Sequence, residues 1–247
     1  MNLEGAAAAL ALAPIALVAG FIQGITGFGA ALVSIPLATF FVPLPFALAV
    51  FAIVDFVNGL RLGLENPRNA VLAEVARMVP LMIVGVVTGV TLLVNLPRNA
   101  SLIALGIFVL AYAFYSLSRR GRLVVVSRHW SYLAGFSGGL SGTLFGAGGP
   151  PYAIYLSHRP LSKEQFRATM TLSTIFSIGA RLVAFAVTGL LTQDGVWVTA
   201  AAAIPAGLFA IYLASRVFRA ISRDTVMRAV AILLLASGVS LIARGLG

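Results

Sequence analysis

Cysteine is absent from this chain of 247 residues. Its absence excludes disulfides, thiolate metal centres, iron–sulfur clusters and cysteine catalysis. Histidine is nearly absent: His129 and His158 cannot make a histidine-rich metal site, and no metal or cofactor is expected. Charge is scarce as well, at 10% of residues where a soluble domain carries about 25%. Hydrophobic residues make up 60% and the mean hydropathy is +1.02, which rules out an ordinary soluble enzyme. The chain reads as an integral membrane protein. Its opening residues, MNLEG, hold Glu4 and neither Lys nor Arg, so no cleaved signal peptide is expected.

Acidic residues number 7 against 17 basic ones, a net charge of +10. The cations fall between long apolar runs, and no basic stripe alternates with aromatics, so nucleic acid is not an expected partner. Loop cations of this kind set orientation and touch anionic lipid headgroups, which makes anionic membrane lipid an expected one.

A spanning helix needs about 20 mainly apolar residues. Such runs lie near 45–63, 75–95, 99–117, 167–190, 196–214 and 226–244. Asn66-Pro67, Asn95-Leu96-Pro97, the basic Arg119-Arg120-Gly121-Arg122 and Gln193-Asp194-Gly195 separate them. Two other segments do not fit. Residues 6–42 hold Gly20, Gly24, Gly27, Gly29 and Pro36; residues 131–157 hold seven glycines followed by Pro150-Pro151. Glycine costs about 1 kcal/mol and proline about 3 within a helix in water. Each segment therefore reads as a broken, re-entrant helical hairpin.

The two broken segments resemble each other. Ala19-Gly20-Phe21 and Ala134-Gly135-Phe136 precede Gly24-Ile25-Thr26-Gly27 and Gly139-Leu140-Ser141-Gly142. After a two-residue insertion Phe28-Gly29-Ala30 matches Phe145-Gly146-Ala147, and further on Phe56-x-x-Gly59-x-Arg61-Leu62 matches Phe176-x-x-Gly179-x-Arg181-Leu182. The shared order of these blocks points to an internal duplication: a first repeat over 1–117, a basic cytoplasmic linker over 118–130 and a second repeat over 131–247.

Charge fixes the orientation of the halves. With the linker inside and each broken segment returning to its own side, Arg61, Arg68, Arg77, Arg159, Lys163, Arg167, Arg216, Arg219, Arg223, Arg228 and the four linker arginines are all cytoplasmic, 14 of 17 cations. Only Arg98, Arg181 and Arg244 point the other way. In this arrangement 45–63 runs inward and its partner 167–190 outward. The expected fold is therefore an all-α polytopic membrane protein of two inverted repeats, each a broken hairpin plus three transmembrane helices. Inverted repeats with interrupted helices recur in secondary transporters, with the substrate near the midplane.

Irregular backbone inside a bilayer survives only buried in protein or along a wet cavity. A break also frees the N–H groups of a half-helix for an anion, helped by the helix dipole. Gly27-Phe28-Gly29 and Gly146-Ala147-Gly148-Gly149 would let backbone approach a small oxyanion; tight helix packing is the other use of such glycines. Arg181 lies deep in an apolar run, where a charge is costly enough to be a functional candidate. Arg61 is a second candidate cation, although its place at a helix end also suits snorkelling. Asp55 is the carboxylate inside a span, with Asn58 one turn on, and the pair reads as a coupling or counter-ion site. Thr171, Thr174 and Ser177 step towards Arg181 at helical spacing, with Ser173 beside them. Gln23, Thr26, Ser137 and Ser141 flank the breaks.

Other motifs carry less. Gly24 to Gly29 follows no strand and is not a dinucleotide fingerprint, and no Walker sequence is present. Gly139-Leu140-Ser141-Gly142 reads as G-x-S-G, the pattern of an intramembrane serine protease. Its only downstream histidine, His158, lies seventeen residues on beside Arg159-Pro160, a poor base for a nucleophile that needs hydrogen-bond reach.

Gly24-Ile25-Thr26-Gly27-Phe28-Gly29-Ala30 leading to Pro36, and Phe145-Gly146-Ala147-Gly148-Gly149-Pro150-Pro151, resemble the paired signatures of the TauE/SafE sulfite-exporter family. The resemblance covers nearly the whole chain; Ala30-Ala31 and the double proline depart from it. It implies a multi-pass transporter, not an enzyme, in the bacterial inner membrane, moving a small sulfur-containing anion such as sulfite, sulfoacetate or a related organosulfonate, and more as exporter than importer. Substrate contacts are then expected from Gln23, Thr26, Gly27, Gly29, Arg61, Ser141, Gly148, Gly149, Ser177 and Arg181. Coupling to a proton or sodium through Asp55 and Asn58, alternating access and a homodimer are further expectations. A passive anion channel using the same arginines is the alternative, and a serine hydrolase at Ser141 the remote one.

Overall fold

In hydrocarbon every backbone N–H and C=O needs an internal partner, so apolar runs of this length become helices. The computed structural model describes residues 6–28, 30–64, 67–118, 125–217 and 223–246, with the backbone alone for residues 6, 26, 67 and 223–229. Among these residues there are ten α-helices and no strand: α1 (Ala6–Thr26), α2 (Ala30–Ala38), α3 (Leu44–Gly63), α4 (Leu72–Asn95), α5 (Arg98–Ser118), α6 (Trp130–Phe145), α7 (Gly149–Ser157), α8 (Lys163–Val187), α9 (Val196–Val217) and α10 (Arg223–Leu246). Six stretches are long and apolar enough to cross a membrane: Ala7–Ile25 and the helices α3, α4, α5, α8 and α9.

The expected breaks are present, and each is narrower than its glycine cluster. Both first arms end on a left-handed glycine, Gly27 at φ 81° and Gly146 at φ 71°. A side chain there would be strained, and glycine ends the helix at low cost. The motif comparison sets Gly27 against Gly142; the structure sets it against Gly146, because the positive φ is needed at the helix end while Gly142 lies inside α6. In each half the second arm begins three residues later, at Ala30 and Gly149.

Gly20 and Gly24 do not break α1. They bring it against α9, where a Cβ on Gly20 would stand 2.7 Å from the Gly207 carbonyl oxygen. Gly135 and Gly139 do the same for α6 on α4: a Cβ on either would stand 2.2 Å from the oxygens of Met78 and Met82. Lipid offers no hydrophobic drive between helices, so close backbone approach at small residues is what holds them.

Helices α1 and α9 pack together, as do α6 and α4, α5 and α10, and α3 and α8. The neighbours of the glycines give the directions. Gly20 faces Gly207 and Gly24 faces Ala214, so α1 and α9 run parallel; by the same measure α4 and α6 run parallel. Phe56 faces Gly179 and Gly63 faces Ile175, so α3 and α8 are antiparallel. Gly106 beside Gly238 and Gly245 beside Ile103 make α5 and α10 antiparallel too.

The α6–α7 hairpin starts and ends in one place. The Val126 N–H donates to the His158 carbonyl at 3.2 Å, and Arg159 Nη1 donates to the Val126 carbonyl at 2.8 Å. Buried Glu74, in the first turn of α4, fastens this junction by accepting from Arg159 Nε at 3.1 Å and from the Tyr155 hydroxyl. In the first half Arg244 holds the end of α2: its Nη2 donates to the Thr39 carbonyl at 2.6 Å and its guanidinium lies 4.8 Å from the Phe40 ring centre.

Candidate functional site

Where the two hairpin tips meet α3 and α8, the chain encloses a cavity of about 30 Å³. That is room for a water or two. Its walls are the first turn of α2 (Ala30, Ala31, Leu32), the tip of the second hairpin (Gly146 to Pro150), Gln23 of α1, Asp55 of α3, Tyr152 of α7, and Thr174, Ser177 and Arg181 of α8. Phe28 packs against Gly149, so the two tips touch each other.

Two half-helix N-termini therefore converge on one cavity. The first turn of a helix leaves its N–H groups without intrahelical acceptors, and the dipole makes that end positive. In α7 the prolines at 150 and 151 carry no N–H, so Gly148 and Gly149 are the backbone donors at that tip. The N-terminus of α2 has no such gap.

Arg181 supplies a full charge. It is 2% exposed, and its Nη1 donates to the carbonyl of Gly142, one of the last carbonyls of α6. Its Nε, also buried, has no hydrogen-bond partner. Asp55, 4% exposed, faces the same cavity; one carboxylate oxygen is likewise without a donor, and the two charges attract each other through space. The Tyr152 hydroxyl donates to Ser177 Oγ at 3.0 Å, which fixes a polar pair on the wall. A buried guanidinium nitrogen and carboxylate oxygen left unpaired are expensive, and each costs less once a polar ligand completes it.

Of the residues expected in the site, Gln23, Asp55, Gly148, Gly149, Ser177 and Arg181 line the cavity together. Arg61 does not: it is exposed at the end of α3. Gly27 ends α1 beside Arg167 and Thr171 and is not among the residues lining the cavity. Asn58 is buried one turn along from Asp55, against Gly207. Gly29 and the Thr26 side chain lie outside the described residues. The Ser141 hydroxyl donates to the carbonyls of Ser137 and Ala147, at 2.7 and 3.1 Å, and so ties the tip of the second hairpin. His158 Nδ1 sits 2.7 Å from the carbonyl of Ile154 at the far end of α7, so hydroxyl and imidazole are engaged at opposite ends of that hairpin.

Sequence reasoning missed Tyr152 and the Glu74–Arg159–Tyr155 cluster. The prolines before Tyr152 marked a helix start, from which its inward position could have been counted. Glu74 gave a weaker signal, an acid ahead of a long apolar run.

The profile of the family described as sulfite exporter TauE/SafE matches residues 12–241. A protein of Comamonas testosteroni described as "Probable inner membrane transporter protein TsaS" is 25% identical over 192 residues, covering 76% of this chain and 80% of that protein. No solved structure matches. The chain belongs to the TauE/SafE family of membrane transporters.

Proposed function

We propose that this protein carries a small sulfur-containing anion, such as sulfite, sulfoacetate or a related organosulfonate, out across the bacterial inner membrane by alternating access. One observation carries the reading: a buried guanidinium with an unpartnered Nε faces a cavity on which two half-helix N-termini converge. Such a set of donors suits an oxyanion, because planar or tetrahedral oxygens accept from the fork and from backbone N–H groups at once. Arg181, Gly148, Gly149 and the first turn of α2 hold the anion; Ser177, Tyr152 and Gln23 shape its surroundings.

Corresponding helices of the two halves, α3 with α8 and α5 with α10, pack antiparallel, which supports an inverted relation between the repeats. The tips touch at Phe28 and Gly149 beside a cavity of only about 30 Å³, and loading an anion there would part them. Rocking one half against the other would part them towards each side in turn. The exposed cytoplasmic cations, Arg68 and Arg128 among them, meet anionic headgroups at the inner face.

A thermal-shift screen of the purified protein in lipid nanodiscs, with sulfite, sulfate, thiosulfate, sulfoacetate, taurine and acetate, tests the substrate class. Stabilisation by sulfur oxyanions and not by acetate is the expected result. An equal response to all anions would discard the sulfur assignment.

A further inference from the structure

Three buried acceptor oxygens near the crossing of α1, α3 and α9 have no hydrogen-bond partner: Gln23 Oε1, Asp55 Oδ1 and Asn58 Oδ1. Their residues are 2%, 4% and 1% exposed. Asp55 and Asn58 stand one turn apart on the same face of α3. Gln23 shares the cavity wall with Asp55. Asn58 lies against Gly207, and Gly20, one turn before Gln23, packs on that same Gly207. A buried acceptor without a partner costs about 1–3 kcal/mol. A proton could relieve the carboxylate; it could not relieve two amide oxygens as well. A cation relieves all three.

Charge balance points the same way. Asp55, Arg181 and a singly charged oxyanion, such as hydrogensulfite or a monosulfonate, sum to −1 in one buried site, and a single added positive charge makes it neutral. Oxygen ligands suit hard cations. One carboxylate and two neutral oxygens carry too little charge to strip water from a divalent ion, which leaves a monovalent one. The C-terminal, negative end of α1 follows three residues after Gln23, and half-helix C-termini are where coupling cations sit in carriers of this architecture. Arg167 donates to Gly24 at 2.8 Å and takes up one carbonyl of that end.

We infer that Gln23, Asp55 and Asn58 bind one sodium ion, which moves with the anion. The inference rests on the carrier reading above and not on its direction, since an anion that moves with sodium follows the sodium gradient. The site occurs once per chain, because the acid of α8, Glu164, lies in that helix's first turn and not in its middle.

Binding of ²²Na⁺ to the full chain in nanodiscs, without any anion, tests the sodium site apart from the substrate assignment. Saturable binding that resists excess potassium and choline is expected. Gln23→Ala, Asp55→Asn and Asn58→Ala should each weaken it at least tenfold, while Arg181→Ala, which removes the anion's counter-charge, keeps it. Gel filtration of each variant separates site loss from misfolding, and Gln23→Glu, which keeps an oxygen in place, should still bind. Absence of saturable ²²Na⁺ binding, or unchanged affinity in the three folded variants, would overturn the inference. In proteoliposomes an inward or outward sodium gradient should drive anion flux; flux driven by a pH gradient and indifferent to sodium would assign Asp55 to a proton instead.

Discussion

Replacing Arg181 perturbs the site most directly. The side chain is 2% exposed, lines the cavity, gives one donor to Gly142 and keeps a buried Nε without a partner. At an effective dielectric of about 20, two unit charges about 4 Å apart attract by about 4 kcal/mol. Loss of that attraction in Arg181→Ala corresponds to nearly three powers of ten in Kd. Arg181→Lys keeps the charge and loses the planar fork, so it forfeits a charge-assisted hydrogen bond of about 1.5–3 kcal/mol and weakens binding by about ten- to a hundredfold. Arg181→Gln keeps a donor without the charge and should fall near the alanine variant. Equilibrium binding of a labelled sulfur oxyanion to nanodisc protein reads all three, with gel filtration to confirm folding. The order parent, lysine, glutamine, alanine is the expected one. A folded Arg181→Ala that binds within threefold of the parent refutes the assignment of the anion to this guanidinium.

Gly135→Ala puts a methyl 2.2 Å from the Met78 carbonyl oxygen, whereas Gly179→Ala puts one 3.5 Å from the Phe56 ring. The first should cost about 1–3 kcal/mol by overpacking and lower the melting temperature in nanodiscs, and the second should leave it nearly unchanged; equal effects would contradict the close α4–α6 contact. Arg159→Ala removes one of the two guanidinium partners of buried Glu74, leaving Arg77 at 3.4 Å, and should destabilise by about 1.5–3 kcal/mol. Adding Glu74→Gln to it should recover part of that loss, and strictly additive damage in the double variant would show that no such coupling exists. Because Val126 is hydrogen-bonded to His158, single cysteines at Ser127 and Ser157 should react with a membrane-impermeant maleimide from the same, cytoplasmic side; labelling from opposite sides would open the hairpin into a crossing.

Much of the fold was legible because apolar length and glycine are strong local signals. The long spans appear within a few residues of their expected limits, and the differences have local causes. Helix α8 starts at Lys163, before the apolar run, because Ser162 and Gln165 form a capping box. It ends at Val187 because Gly189 turns left-handed at φ 74°. The glycine clusters were harder to read. Gly20 and Gly24 have the same composition signal as Gly27, yet only Gly27 ends a helix; the other two answer to α9, which is distant in sequence. Arg181 and Arg61 occupy matching motif places, but burial separates them, and nothing local tells a snorkelling arginine from a buried one. Arg244, which did not fit the charge arithmetic, anchors α2 through Thr39. Unpartnered oxygens such as that of Asn58 become visible only once neighbouring helices have used up, or failed to supply, their donors.

Counterflow in proteoliposomes tests carriage most directly. Vesicles preloaded with millimolar unlabelled substrate are diluted into a trace of the same labelled sulfur oxyanion. A carrier that alternates between two sides accumulates label transiently above its outside concentration, and Arg181→Ala abolishes the overshoot. Label that only equilibrates, at a rate indifferent to the unlabelled anion inside, would contradict alternating access and make this protein a pore.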